Sequence, residues 1–247
     1  MSNSIIVPTL NEAEFIQPFL EHLRERAAEA EIIVADGGST DGTAELAAAL
    51  SHQVVHVKRG RSVQMNAGAQ AARGEILWFL HADVKVPPEC LTEIERIMSN
   101  PRVVGGFFRI RLPHSQPIYR LTDSFAHYAG LFLRMRCGDH GIFCRRKIFM
   151  DVGGFPDVPL MEDVEFFRRL IRCGQVLHSN KRIVVSPRRY ETIGRARLTV
   201  AYGLLSTLYL FGVSLPTLAA IYERTCCRAR EDRISDSQAI DVHSSLD

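Results

Sequence analysis

The sequence predicts an α/β fold, a mainly parallel central sheet flanked by helices. Three observations carry this. Short, mainly apolar runs at residues 4–7, 31–35, 54–57 and 76–80 have the length of strands, and 76–80 has the continuous apolarity of one buried on both faces. Stretches with helical spacing lie between them, giving a βαβαβαβ order and hence a helix-covered parallel sheet. Each strand gives way to a turn containing Pro, Gly, Asp or Asn, the residues that punctuate such connections.

Taken in order, Ser4 to Val7 is the first strand, stopped by Pro8. The turn Thr9-Leu10-Asn11-Glu12 leads into a helix whose Phe15, Ile16, Phe19, Leu20 and Leu23 share one face, with Pro18 expected to start or kink it. The second strand runs into Asp36-Gly37-Gly38-Ser39-Thr40-Asp41-Gly42-Thr43, where the glycines permit turns and close approach. Asp36 at the strand's end can accept hydrogen bonds from a base or ribose. A plain βα turn with Asp41 as helix cap is the other reading, and both stand. The third strand leads to Lys58-Arg59-Gly60-Arg61-Ser62 and a small-residue helix through Ala72, with Ser62 as N-cap. These cations beside a helix start suit a diphosphate, or form a solvated surface.

The run Ile76 to Leu80 is the centre of the pattern. Polar residues begin abruptly at His81-Ala82-Asp83, where ligands bind in an open parallel sheet, so a metal and phosphate site is expected there. Asp83 as a cap for the helix after Pro87-Pro88 is the alternative. A helix over 88–100 follows, then an edge strand over 103–112 and a mixed helical stretch over 118–135. Residues 138–146 read as a loop passing into a short strand. Glu162 and Asp163 open a helix carrying Val164, Phe167 and Ile171 on one face, where acids suit the helix dipole.

Composition limits the function. The 247 residues are 46% hydrophobic and 23% charged with a net charge of +2, which gives no reason to expect a nucleic-acid partner. The cysteines at 90, 137, 144, 173, 226 and 227 lack metal-ligand spacing, so reduced cytosolic thiols are expected rather than a disulfide framework. No basic, cleavable leader precedes Ser4, so no signal peptide is expected. Residues 198–222 carry no charge. The Gly212-to-Pro216 stop and restart points to two helices docked on the core or lying on a membrane surface rather than a span. Beyond about Cys226 the chain is polar and patternless, as in a disordered tail.

The ordered set of Ile5-Ile6-Val7-Pro8-Thr9-Leu10-Asn11-Glu12, Val34 to Thr43, Asn66 to Glu75, Phe79 to Asp83 and Met161-Glu162-Asp163 resembles the family 2 glycosyltransferases, over about residues 4–190. Residues 60–68, 138–143 and 186–190 further resemble a small bacterial branch. The resemblance implies a GT-A fold over residues 1–190, with a helical extension over 191–225 and a tail over 226–247. It also implies inverting transfer of a sugar from a nucleotide-diphosphate sugar, with a UDP-sugar as the expected donor, to an acceptor hydroxyl on a lipid or glycan. A cytoplasmic protein, peripheral on the inner membrane face, is the matching location.

Carried over by position, Pro8, Thr9 and Glu12 line the nucleoside pocket, and Asp36 binds base or ribose with Arg61 nearby. Asp83 is the second acid of the family's D-x-D and ligates Mn²⁺ or Mg²⁺. His81 and Ala82 complete that segment. Asp163 is the general base toward the acceptor, and Asp139, His140, Glu162, Arg188 and Arg189 are expected to contact acceptor or diphosphate. The chain departs from the family pattern at His81, which replaces the first acid and favours Mn²⁺ over Mg²⁺. A dehydrogenase is excluded because G-x-G-x-x-G is missing after the first strand. A non-catalytic nucleotide-sugar-binding protein is the remaining alternative.

Overall fold

The computed structural model describes residues 1–112 and 140–227. Among them, 1–112, 140–157 and 161–185 form one compact unit, and 158–160 and 186–227 form a second. The helix expected over 118–135, Asp139 and the tail beyond residue 227 lie outside the described residues.

In the first unit, β1 (Asn3–Thr9), β2 (Glu31–Asp36), β3 (Gln53–His56) and β4 (Ile76–Phe79) alternate with α1 (Ala13–Arg26), α2 (Thr43–Leu50) and α3 (Arg61–Ala71). Then follow β5 (Val84–Lys85), α4 (Cys90–Met98), β6 (Val103–Arg111), β7 (Phe143–Arg145), α5 (Arg146–Asp151), α6 (Glu162–Cys173) and β8 (Gln175–Val185). The described strands make one sheet in the order β3-β2-β1-β4-β7-β6-β8-β5. Pairing is parallel between β3, β2, β1 and β4 and between β6 and β8, with β7 and β5 antiparallel to their neighbours. The expected α/β fold is therefore present. Strand order reverses between β1 and β4, which opens a crevice at their carboxyl ends.

Apolar side chains fill both sheet faces. On one, Leu77, Phe79 and Phe107 are buried with Phe149 of α5 and Phe166 and Phe167 of α6. Phe79 stacks on Phe149 at 5.2 Å and meets Phe155 edge-on at 4.9 Å. By strand alternation Trp78, Phe108 and Phe143 occupy the other face, with Trp78 and Phe108 centroids 5.4 Å apart. Cys90, Cys144, Cys173 and Cys226 are free thiols, and burial pushes the Cys90 pKa up to about 11.

Several local expectations are corrected. Pro8 lies inside β1, because the β1–β4 ladder ends at the Ile6–Phe79 pair and no donor is needed on that side. Pro18 does not start α1 but lies inside it, since Phe15 and Ile16 N–H donating to Glu12 O at 2.9 and 2.8 Å set the first turn before it. Gly60, not Ser62, precedes α3, and Ser62 is buried in its first turn. The strand over 103–112 is interior, not an edge. Gly105 and Gly106 permit this, since an added Cβ would meet Phe143 O at 2.6 Å and Leu177 O at 2.7 Å on the flanking strands. Neither β5 nor β8 was expected from the sequence.

The second unit holds α7 (Arg188–Ile193), α8 (Arg195–Leu210) and α9 (Leu215–Tyr222), with a π-turn over Glu223–Cys227. Its centre is Ile193, Leu198, Ala201 and Cys226, flanked by Tyr190, Tyr202 and Tyr222. The helices break at Gly212, whose φ of +80° lies in the left-handed region, and restart at Ser214, whose side chain accepts from Thr217 N–H. No helix among the described residues is long and apolar enough to cross a membrane.

Candidate active site

The carboxyl ends of β1, β2 and β4 and the first turns of α3 and α6 come together at one edge of the sheet. Asp36 ends β2 at 1% exposure. One carboxylate oxygen accepts from Gly38 and Ser39 N–H at 3.0 and 2.9 Å, and the other from the Ser39 and Thr9 hydroxyls. Burial raises its pKa, but the Ser39 hydroxyl, the Ser39 and Gly38 amides and the Thr9 hydroxyl outweigh that and hold it below the ordinary carboxylate value. A carboxylate with four such donors is nearly saturated, so Asp36 shapes the Gly37–Ser39 loop. That loop is laced to the β1–α1 turn: Asn11 Oδ1 accepts from Thr40 N–H at 2.9 Å, and Asn11 N–H donates to Ser39 Oγ at 2.9 Å. Asn11 sits at φ +53°, a region asparagine tolerates. Pro8 and Glu12 are half-buried on the same turn, and Thr9 is buried.

Two α3 residues hold this edge together, a role the sequence did not single out. Gln64 Nε2 donates to Thr9 O at 2.6 Å and Ala35 O at 3.0 Å, bridging β1 and β2. Its side chain fills the space a Cβ at Gly37 would need, with atoms 3.0 Å away. Asn66 pairs with the backbone of Phe155 in both directions, at 2.8 and 2.9 Å, and so fixes the turn before α6. The available signal was the run of amides Gln64, Asn66 and Gln70 in a helix rich in small residues.

Beyond β4 the chain leaves the sheet. Leu80 N–H still donates to Ile6 O at 3.0 Å, then His81 and Asp83 follow half-buried with Ala82 buried between them. A small apolar pocket lies here, lined by Pro8, Met65, Phe79, Leu80, His81, Ile142 and Phe155. His140 is buried at 6% exposure, with Nδ1 3.1 Å from Phe108 O; a carbonyl can only accept, so this nitrogen carries the hydrogen. Gly141, at φ +56°, fits under the Trp78 indole, whose N–H donates to Gly141 O at 3.1 Å.

Glu162 and Asp163 open α6 with 5% and 7% exposure. The residue before them, Met161, has φ +62°, a conformation uncommon for such a side chain and one that fixes the approach to the helix. Arg61 Nη1 meets Glu162 Oε1 at 3.2 Å, so the starts of α3 and α6 are joined across the site. Asp163 Oδ1 accepts from Val164 N–H at 2.7 Å. Thr9, Asp36, Arg61, Glu162 and Asp163 thus belong to one edge with His81 and Asp83. Arg188 and Arg189 lie in the second unit.

Among the described residues no three His, Cys, Asp or Glu are gathered closely enough to hold a metal by themselves. The half-buried carboxylate of Asp83 still fits one. Mg²⁺-type sites commonly use one or two carboxylates, with substrate phosphates and water completing the shell.

Comparison with known proteins agrees with this architecture. The model of the family described as "Glycosyl transferase family 2" matches residues 4–153. The glycosyltransferase AglE of Haloferax volcanii is 28% identical over 190 residues, which cover 70% of this chain and 62% of that protein. The chain therefore spans about six tenths of that relative's length. Mannosyltransferase PcManGT from Pyrobaculum calidifontis, solved with GDP-Man and Mn²⁺, superposes with TM-score 0.62 at 18% identity, covering 99% of this chain and 79% of that one. Glucosyl-3-phosphoglycerate synthase from Mycobacterium tuberculosis, solved with Mn²⁺, UDP and glucosyl-3-phosphoglycerate, gives TM-score 0.61 at 18% identity over 86% of this chain and 81% of that one. At that identity they share the fold, which is GT-A.

Proposed function

Because the chain belongs to glycosyl transferase family 2, we propose that it transfers a sugar, with inversion, from a nucleotide-diphosphate sugar to an acceptor hydroxyl. The observation that carries the reading is the pair of acids at one sheet edge. Asp83 follows the carboxyl end of β4, and Asp163 sits in the first turn of α6, whose start is tied to α3 by Arg61 and Glu162. Inverting transfer divides its work in this way, with one acid serving the donor's diphosphate and another the acceptor.

In this scheme the nucleoside rests on the Thr9–Glu12 turn and the loop that Asp36 organises. Asp83 would hold the divalent ion, with His81 beside it. When bound, that ion offsets the negative charge that grows on the departing diphosphate. Asp163 takes the proton from the acceptor hydroxyl as oxygen attacks the anomeric carbon. Arg61 lends positive charge to the diphosphate and steadies Glu162. The presence of GDP-Man or UDP with Mn²⁺ in the fold neighbours supports a nucleotide-sugar donor and a divalent ion.

A thermal-shift panel of UDP-, GDP-, ADP- and dTDP-sugars with Mn²⁺ tests this, since a ligand at 100 times its Kd stabilises the native state by about 2.7 kcal/mol. One base is expected to raise Tm and the other three to leave it unchanged. Free nucleotide diphosphate should then accumulate with the matching sugar, even with water as acceptor. Binding without any release would favour a non-catalytic nucleotide-sugar-binding protein.

The second unit is proposed to rest on a membrane surface. Val200, Leu204, Leu210 and Phe211 of α8 and its end are exposed, with Phe211 at 83%. Alkaline carbonate is expected to strip the protein from membranes of expressing cells, and retention in the pellet would point to a span instead.

A further inference from the structure

The first unit carries a row of cations that the donor scheme does not use. On β6 and β8, Phe107 pairs with His178 and, beyond a register irregularity, Arg109 with Arg182, so the two arginines lie side by side on one face of the sheet. Arg111 follows Arg109 on that face by alternation. Arg111 and Arg182 are exposed and Arg109 is half-buried. Arg109 Nε donates to His178 Nε2 at 3.3 Å, which steadies the guanidinium and leaves its two Nη groups for a ligand.

Like charges on adjacent strands, about 4.8 Å apart, destabilise a sheet. Several acids of this unit are paired with other cations: Glu162 with Arg61, Glu93 with Arg96, Glu89 with Lys181, Glu165 with Arg168. Among the described residues no carboxylate is paired with Arg109, Arg111 or Arg182. The arrangement suits an anion from outside.

Its position says which substrate would carry that anion. The α6 helix hands over through Gly174 to Gln175, which pairs with Val103 where β6 begins, so the start of α6 lies at the edge where β6 and β8 end. Phe107 packs on Phe167 of α6, with centroids 5.8 Å apart. From that contact Arg109 lies two strand residues, about 7 Å, toward this edge, and Asp163 lies four helical residues, about 6 Å, the same way. The arginines therefore border the approach to Asp163, on the acceptor's side of the proposed base.

We infer that Arg109 and Arg182, with Arg111 beyond them, bind a phosphate carried by the acceptor close to its reacting hydroxyl. The inference rests on the glycosyltransferase reading for the role of Asp163, and its test separates the two. The full chain is saturated with Mn²⁺ and the nucleotide diphosphate chosen by the panel, then titrated with glycerol 3-phosphate and with glycerol. A parallel arm measures flotation with phosphatidylcholine vesicles with and without phosphatidic acid.

Binding of glycerol 3-phosphate but not glycerol is expected if the phosphate is a soluble one, and flotation that needs phosphatidic acid if it is a lipid headgroup. In the Arg109→Gln, Arg182→Gln double variant either response should weaken by roughly tenfold or more, the scale of lost hydrogen bonds to a charged group. Nucleotide affinity should be unchanged. No response to either phosphate, or an undiminished one in the variant, overturns the inference and leaves the donor reading intact. Loss of nucleotide binding in the variant also overturns it, because the arginines would then serve the donor or the fold. Failure of the wild type to bind any nucleotide sinks the donor reading instead.

Discussion

Asp163→Asn is expected to lower the transfer rate by about 10²–10⁴-fold, the usual share of general acid–base catalysis, while nucleotide-diphosphate binding survives. The substitution keeps the shape and removes the proton acceptor. Asp163 is a well-held group, because Val164, Phe166 and Phe167 are buried directly after it and fix the first turns of α6. Glu162 is the neighbouring alternative, but its carboxylate already meets Arg61 at 3.2 Å with 7% side-chain exposure. Removing it leaves the half-exposed Arg61 without the buried acid that ties it to α6, so Glu162→Gln should disturb the diphosphate side and the α3–α6 junction more than proton transfer. Rates and nucleotide affinities of the two variants decide the matter. Normal turnover in Asp163→Asn with a dead Glu162→Gln would move the base by one residue. Full activity in both would put the base elsewhere.

Much of this could be read from the chain because the first half has one fold signal per element. The strands of residues 4–7, 31–35 and 76–80 are mainly apolar runs, and each is buried in the centre of the sheet. The helical face of α6 and the break at Gly212 were equally direct, one from spacing and the other from a glycine next to a capping serine. What stayed hidden depends on contacts between distant segments. β8 mixes Ser179, Lys181 and Arg182 into its run, because Ser179 and Lys181 meet Glu93 and Glu89 while Arg182 is exposed, and a register irregularity interrupts the alternation, so no apolar pattern marks it. β6 looked like an edge because Gly105-Gly106 weakens a strand, yet those glycines let two neighbours approach. Asp36 illustrates the same limit at the site. Its residue type and place suggest a ligand contact, but whether its oxygens are already occupied depends on the path of the Gly37–Ser39 loop.

Asp83→Ala is expected to abolish the dependence of nucleotide-diphosphate binding on a divalent ion. In the wild type, Mn²⁺ should strengthen binding and a chelator should remove that gain. The variant should bind the nucleotide weakly and equally with and without metal. The loss should be at least the 10–100-fold in metal affinity that removal of an outer partner costs, because a ligand itself is removed here. The expectation follows from the shape of the site. Asp83 lies half-buried just past β4, beside the crevice where strand order reverses, and no three-ligand cluster exists among the described residues to hold the ion without it. In the proposed scheme protein and diphosphate share the ion, so metal and nucleotide are expected to bind together. His81 sharpens the expectation, since a neutral imidazole suits Mn²⁺ better than Mg²⁺, which prefers oxygen ligands. His81→Asp should accordingly narrow any preference for Mn²⁺. Calorimetry of the nucleotide diphosphate against wild type and Asp83→Ala, each with Mn²⁺, with Mg²⁺ and with chelator, reads all of this directly. Wild-type affinity in the variant, or a wild type indifferent to chelator, would mean that Asp83 caps the turn before α4 and that the diphosphate is held by the Lys58–Arg61 cations without a metal.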